Sequence, residues 1–471
     1  MSKLQDQMFL EIRNKRPFEL AQQYAFDYLE HVFDRNVYPT EEALNKLSIF
    51  DEELPVASAN AKDVIEQLHT YGSQATTATL GGRYFGFVTG SALPVGMAAK
   101  NLATYWDQAP AMHVLSPIGS KLEAVVEKWL IDLFGLPENT AAGFVSGTSA
   151  ANLCGLAAAR YRILKRNDWD VNEKGLRNAP EIRIVTGKQA HSTVLKAVGI
   201  LGLGKESIEW AAVDDQGRIV AESIPELNQN TILILQAGNV NSGAFDNFNA
   251  ICEKAQKANA WIHIDGAFGL WAEAVSKLKY LTKGIEKASS WAVDGHKTLN
   301  TPYDCGIVMC SDPEAMTAAL HMSGSYIVES PERDGMFYTP EMSRRARVME
   351  LWAIMKYLGK NGIDEMILNM HHRAKQFAKE IGALKGFHVE NDIVFNQVLV
   401  RCDSDALTQQ VLHNIQKLRT CWLGGSVWFG KKVMRVSICS WATNESDITI
   451  SIESFEKAMG IALADTTKIS K

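Results

Sequence analysis

Lys297 stands in the run SSWAVDGHKTLN, directly after His296 and just past a short apolar stretch patterned like a buried strand. A lysine amine can add to an aldehyde, although a strand-end lysine taken alone is more often simply solvated. Asp265 closes the run WIHIDGA. In an open α/β sheet the carboxyl ends of strands collect the ligand, so this carboxylate can face a pocket; a helix-capping aspartate fits the same position. Ser146, Gly147, Thr148 and Ser149 separate a short strand pattern from a long Ala-rich helix pattern. Backbone N–H groups at such a helix start, with hydroxyls and a glycine that lets the backbone approach, cradle a phosphate; they also serve as a plain N-cap. His191, in GKQAHSTVLKA, again lies between a strand and a helix, where an imidazole can stack on a flat heteroaromatic ring or merely cap the helix.

All four features follow strands of what reads as one sheet, and together they meet the demands of one cofactor, pyridoxal 5'-phosphate. Lys297 supplies the amine for a Schiff base. Asp265, opposite the pyridine nitrogen, keeps that nitrogen protonated, so the ring stabilises the carbanion left when a bond at a substrate Cα breaks. Gly147, Thr148 and Ser149 hold the phosphate.

These residues need a scaffold, and the pattern from 140 to 311 supplies one. Short apolar runs (GFVSG, IRIVTG, ILILQAG, WIHIDGA, SSWAVDG, CGIVMCS) alternate with helical patterns, which predicts an α/β large domain with a mostly parallel central sheet covered on both faces. Asp265 and Lys297 are separated by about one strand–helix–strand excursion of roughly 30 residues, so both emerge on the same sheet edge. An N-terminal helical arm is expected over residues 1–75 and the large domain over 76–325. A loop and linker follow over 326–345, and a linking helix with a smaller α+β C-terminal domain spans 346–471. The helix pattern RRARVMELWAIMKYLGKNG runs out at Gly359 and Gly362.

With 471 residues the chain exceeds one ordinary core, and 48 Lys plus Arg against 54 Asp plus Glu gives no basic surface suited to nucleic acid or anionic membrane. The substrate is expected to be a small molecule. The seven cysteines form no CxxC pair and no zinc spacing, so no metal is expected and the thiols read as reduced, in a cytoplasmic protein. The opening residues lack the apolar core of a signal peptide, and no stretch approaches the roughly 18 apolar residues of a membrane span. The run GSVWFGKK lacks the final hydroxyl residue of a phosphate-binding loop and reads as a hairpin; GILGLG does not match a nicotinamide-binding turn.

The order of SGTS, QAHS, HIDGAF and GHK resembles the group II pyridoxal-dependent amino-acid decarboxylases, relatives of the glutamate and aromatic L-amino-acid decarboxylases. The resemblance extends through the YAFDYLEHVFDRNVYP arm, RYFGF, GAFD, SRRAR and MRVSIC. It implies a fold type I, aspartate aminotransferase-like architecture and an intertwined homodimer with active sites built from both subunits. It also implies that His191 stacks on the cofactor ring, Ala267 packs on the other side, Asp265 pairs with the pyridinium and His296 approaches the phosphate. Phe87 corresponds to a substrate-pocket aromatic, and Arg435 resembles the arginine that takes a substrate α-carboxylate in related aminotransferases.

This chain departs from the family pattern at three places. Gly238-Asn239-Val240 replaces a Gly-Thr-Thr run, leaving Asn239 to substitute for a hydroxyl near the cofactor. Asp294-Gly295 stands where some relatives have Asn-Pro, which puts a carboxylate near the phosphate. The loop at 325–340 is shorter than expected, with Tyr338 the nearest candidate for the tyrosine that reprotonates the carbanion; without it, His191 or water delivers the proton. Decarboxylation is the favoured reaction. Transamination or carbon–carbon cleavage on the same cofactor is the alternative, and a non-catalytic cofactor-binding paralogue stands behind both.

Overall fold

The computed structural model describes residues 3–321 and 331–469. Seven strands form the central sheet: β1 (Ala141–Val145), β2 (Arg183–Gly187), β3 (Ile208–Ala211), β4 (Thr231–Gln236), β5 (Trp261–Asp265), β6 (Ser290–Asp294) and β7 (Gly306–Cys310). Their order is β1-β7-β6-β5-β4-β2-β3. Only β7 runs antiparallel to its neighbours, β1 and β6; the other pairs are parallel. Every residue of β1, β4, β5, β6 and β7 is buried, as continuous apolar strands must be when helices cover both faces. The architecture is the expected α/β one, with a mostly parallel central sheet. The sequence reading passed over β3, whose run IEWA is short, half-exposed and at the sheet edge.

On one face lies the helix Thr148–Arg166, rich in alanine. Gly155 lets it seat closely, because a Cβ there would stand 2.7 Å from the His263 ring. The segment Val348–Gly382 covers part of the other face as two helices that meet at a kink at Gly359 (φ 58°, ψ −175°), where the sequence pattern runs out. Ile354 before the kink and Ile363 and Ile367 after it are buried in one core. The helix begins at Val348, after the arginine run, in which Arg344 pairs with Glu123 at 2.6 Å and Arg345 with Glu350 at 2.5 Å.

A second sheet carries β8 (Phe387–Val389), β9 (Gln397–Cys402), β10 (Gly424–Trp428) and β11 (Lys431–Ser437), all antiparallel in the order β10-β11-β9-β8. The GSVWFGKK run makes the β10–β11 hairpin, with positive φ at Phe429 and Gly430, the requirement of a two-residue type I′ turn. The small core gathers Phe377, Val398, Val436 and Phe455 and also draws in Phe85. Phe85 donates its N–H to the Trp422 carbonyl at 2.8 Å and accepts from Ser437 N at 3.0 Å, so the RYFGF segment, expected with the large domain, is stitched to the small one.

Of the 326–345 linker, residues 326–330 lie outside the described residues; the remainder is irregular apart from a short turn at Gly335–Phe337. Two N-terminal helices, Lys3–Asn14 and Arg16–His31, have Leu20 as their one buried residue. Among the described residues no helix is long and apolar enough to cross a membrane.

Candidate active site

A cavity of about 370 Å³ opens at the carboxyl ends of the parallel strands. Ser146 to Ser149 reach it from the turn after β1, His191 from the turn after β2, and Gly238 and Val240 from the turn after β4. Asp265 and Ala267 come from the end of β5, and Asp294, His296 and Lys297 from the end of β6. In-register pairing sets Asp265 between Gln236 and Ala292, which fixes its depth in the cavity wall.

At the lysine end, Lys297 Nζ lies 3.3 Å from Asp294 Oδ2. The other oxygen, Asp294 Oδ1, accepts the Thr148 N–H at 2.6 Å, so the carboxylate turns toward the helix start and not away from it. Cys305 N donates to His296 Nδ1 at 3.1 Å, leaving Nε2 as the protonated nitrogen, 3.6 Å from Asp294. Burial pushes the His296 imidazole below its usual pKa. Gly90 crosses above: a Cβ there would fall on the Lys297 carbonyl oxygen, so the chain passes over the lysine only because this residue is glycine.

At the opposite end Asp265 is 4% exposed and accepts from Asn152 Nδ2 and Ala267 N, both at 3.3 Å. Behind it runs a chain of buried groups whose proton directions are dictated by its ends. Trp261 Nε1 can only donate, and it reaches Ser290 Oγ at 2.9 Å. The serine proton then goes to His263 Nδ1 at 2.8 Å, so Nε2 carries the hydrogen donated to Asn152 Oδ1 at 2.9 Å. The Asn152 amide passes the polarity on to Asp265. Burial pushes His263 down to about 3, so it stays neutral. Burial also raises the Asp265 carboxyl, opposed by the His191 and Lys297 charges and by its two N–H donors.

His191 caps the helix Ser192–Ile200 and also lines the cavity. Its Nδ1 meets Thr193 Oγ1 at 2.7 Å and accepts Thr193 N at 3.3 Å, which places the ring hydrogen on Nε2. Burial lowers its pKa, Lys297 and Arg435 lower it further, and Asp265 opposes them.

The residues present fit a phosphorylated aromatic aldehyde. Thr148 Oγ1 is buried and has no hydrogen-bond partner among the described residues, at the N-terminus of a 19-residue helix where phosphate oxygens are best received. A Cβ on Gly147 would come 3.3 Å from His296 and narrow that cradle.

Four expected site residues lie elsewhere. Asn239 is used by its own turn, its Oδ1 accepting Asn241 N at 2.9 Å and Ser242 N at 3.3 Å, so its neighbours Gly238 and Val240 line the cavity in its place. Phe87 is 64% exposed and leans on Trp422, ring centres 5.5 Å apart. Tyr338 sits beneath the Arg333 guanidinium, 4.0 Å from the ring centre, beside a separate cavity with Phe337 and His321. Its carbonyl packs on Gly143 of β1, holding it away from the cofactor cavity of its own chain. Arg435, on β11, is outside the cavity wall but near enough to depress His191. Sequence reasoning missed Asn152, Thr193, His263, Phe268 and Tyr303. Asn152 follows Thr148 by one helical turn and His263 precedes Asp265 by two strand positions, spacings that share a face and were readable.

Comparison with known proteins agrees with this geometry. An aromatic-L-amino-acid decarboxylase of Bacillus atrophaeus is 26% identical over 379 residues, 77% of this chain and 76% of the relative. The acidic amino acid decarboxylase GADL1 of Xenopus tropicalis is 25% identical over 307 residues, 62% of this chain and 59% of that protein. The crystal structure of Oryza sativa TDC with PLP and tryptamine superimposes with a TM-score of 0.86 at 20% identity, covering 96% of this chain and 98% of the other. A family model, the pyridoxal-dependent decarboxylase conserved domain, matches residues 45–402. A lysine and a buried carboxylate facing one cavity, on this sheet and with this match, place the chain in the pyridoxal-dependent decarboxylase family.

Proposed function

We propose that this pyridoxal 5'-phosphate-dependent amino-acid decarboxylase takes an L-amino acid with an apolar or aromatic side chain and works as a cytoplasmic homodimer. The observation that carries the mechanism is the joint presence of Lys297 and Asp265 in the wall of one cavity. When bound there, the cofactor supplies an aldehyde for amines and a ring that draws in the electrons of a breaking Cα bond. Lys297 Nζ would hold it and is the amine that a substrate amine would replace. Asp265, which accepts from Asn152 and Ala267, would keep a proton on the pyridine nitrogen. The neutral ring of His191 and the Ala267 methyl, both in the cavity wall, would hold the ring between them. Arg435, beyond the wall but close enough to act on His191, would draw the substrate carboxylate toward the site.

Tyr338 is held off by Arg333, so the proton returned to Cα comes from His191 Nε2–H or from water. The aromatic preference rests on Phe268 and Tyr303 in the cavity wall and on the B. atrophaeus relative. Support for the homodimer comes from Met8, Phe9, Leu10 and Ile12, exposed on a helix that buries nothing within its own chain. The free, buried cysteines suit a reducing compartment. Carbon dioxide release measured across a panel of L-amino acids tests the reading: release from tryptophan, tyrosine or phenylalanine exceeding that from glutamate supports it. Keto-acid formation without carbon dioxide contradicts it.

A further inference from the structure

Asp294 is an acid built into the place where the cofactor's phosphate must go. It ends β6, its side chain is almost fully buried, and its Oδ1 already accepts the Thr148 N–H at 2.6 Å. That amide belongs to the first turn of the helix Thr148–Arg166, the same turn whose unpartnered Thr148 hydroxyl marks the phosphate cradle. Carboxylate and phosphate therefore meet at one helix end.

The charges around Asp294 do not offset a phosphate dianion beside it. Lys297, 3.3 Å away, is the nearest cation, and its amine is committed to the cofactor aldehyde. His296 cannot become a cation without losing a bond, because its Nδ1 accepts the Cys305 N–H; it contributes one N–H from Nε2 and no charge. His191, from the turn after β2, is likewise accepting at Nδ1, and Asp265 at the end of β5 is a second anion. Tyr303 and Cys305 from the approach to β7 and Cys439 from the small domain are neutral, burial raising the pKa of each. Two like charges in a dry site disfavour one another strongly.

Resting on the cofactor assignment above, we propose that Asp294 and the bound phosphate hold one proton between them, so that the cofactor binds together with a proton taken from solvent. Free phosphate monoesters are mainly dianionic above about pH 6 to 7, so the proton is taken up on binding at pH 8. No bond is broken; a solvent proton is added to the Asp294–phosphate pair and shared as a short O–H···O hydrogen bond.

The test uses the full chain with Lys297→Ala as background, freed of cofactor and titrated with pyridoxine 5'-phosphate, so that no free lysine ammonium stands beside Asp294. Calorimetry at pH 8 in two buffers of different ionisation heat counts the protons. Lys297→Ala is expected to take up about one proton per site more than the double variant Lys297→Ala, Asp294→Asn. Its affinity is expected to weaken about tenfold more per pH unit than that of the double variant between pH 7 and 9. A Lys297→Ala protein that takes up no proton overturns the proposal whether or not the double variant folds, and so do equal counts in the two proteins. Borohydride capture of pyridoxal 5'-phosphate on the wild type separates the two levels: no capture at Lys297 removes the cofactor assignment, whereas capture with no proton uptake in the Lys297→Ala protein removes only the role of Asp294.

Discussion

The proposed mechanism needs Asp265 as an anion in a place that disfavours anions. Burial alone would neutralise it, and the Asn152 and Ala267 N–H groups, with the cationic neighbourhood of Lys297, oppose that. The variant Asp265→Asn keeps the shape but cannot hold a proton on the pyridine nitrogen. It is expected to retain a yellow, borohydride-reducible cofactor while kcat falls on the order of 10²- to 10³-fold; unchanged kcat with cofactor bound would contradict the role. Lys297, Asp265, His191 and the Ser146–Ser149 turn were legible because each directly follows a strand pattern, and strand ends converge. Asn239 and Tyr338 were misplaced for local reasons that no spacing reports: an asparagine that ties its own turn, and an arginine that covers a tyrosine. Phe87 was legible as an aromatic on the right segment, but not its turn toward Trp422.

The strand β5 carries more than the carboxylate at its end. Its His263, two residues earlier, is neutral in the folded protein because burial holds its pKa down to about 3, against about 6.5 in the unfolded chain. The unfolded chain therefore binds a proton that the folded one refuses. The stability contributed by neutral His263 is complete above pH 6.5 and is lost as the pH falls toward 3. Urea unfolding of the wild type between pH 6 and 4 is expected to lose about 1.4 kcal/mol per pH unit more than His263→Gln does; parallel slopes would contradict this. The segment above the lysine is equally exacting, since Gly90→Ala would set a methyl group on the Lys297 carbonyl. That substitution should lower stability by about 1–3 kcal/mol and weaken cofactor binding, measured by thermal unfolding and by titration of the stripped protein. At this scale the parallel strands were readable from unbroken apolar runs. The helix break at Gly359 was readable from its glycine; the antiparallel sense of β7 was not, because it follows from packing partners far away in sequence.

At the level of the whole molecule, the α/β fold and its small partner domain were visible in the alternation of strand and helix patterns. The attachment of the RYFGF segment to the small domain was not, since it depends on backbone bonds to Trp422 and Ser437. The first N-terminal helix, Lys3–Asn14, is amphipathic and buries nothing against its own chain, which fits a second copy. Light scattering should give twice the chain mass, and the double variant Leu10→Asp, Ile12→Asp should shift the protein toward monomer and reduce activity in parallel. A wild-type monomer with full activity would contradict the shared-site reading. The account as a whole depends on where the cofactor is attached. Borohydride reduction of the purified protein with its cofactor, followed by proteolysis and mass spectrometry, should place the pyridoxyl group on the peptide containing Lys297, and Lys297→Ala should carry none; the group on another lysine, or undiminished labelling of the variant, would contradict it.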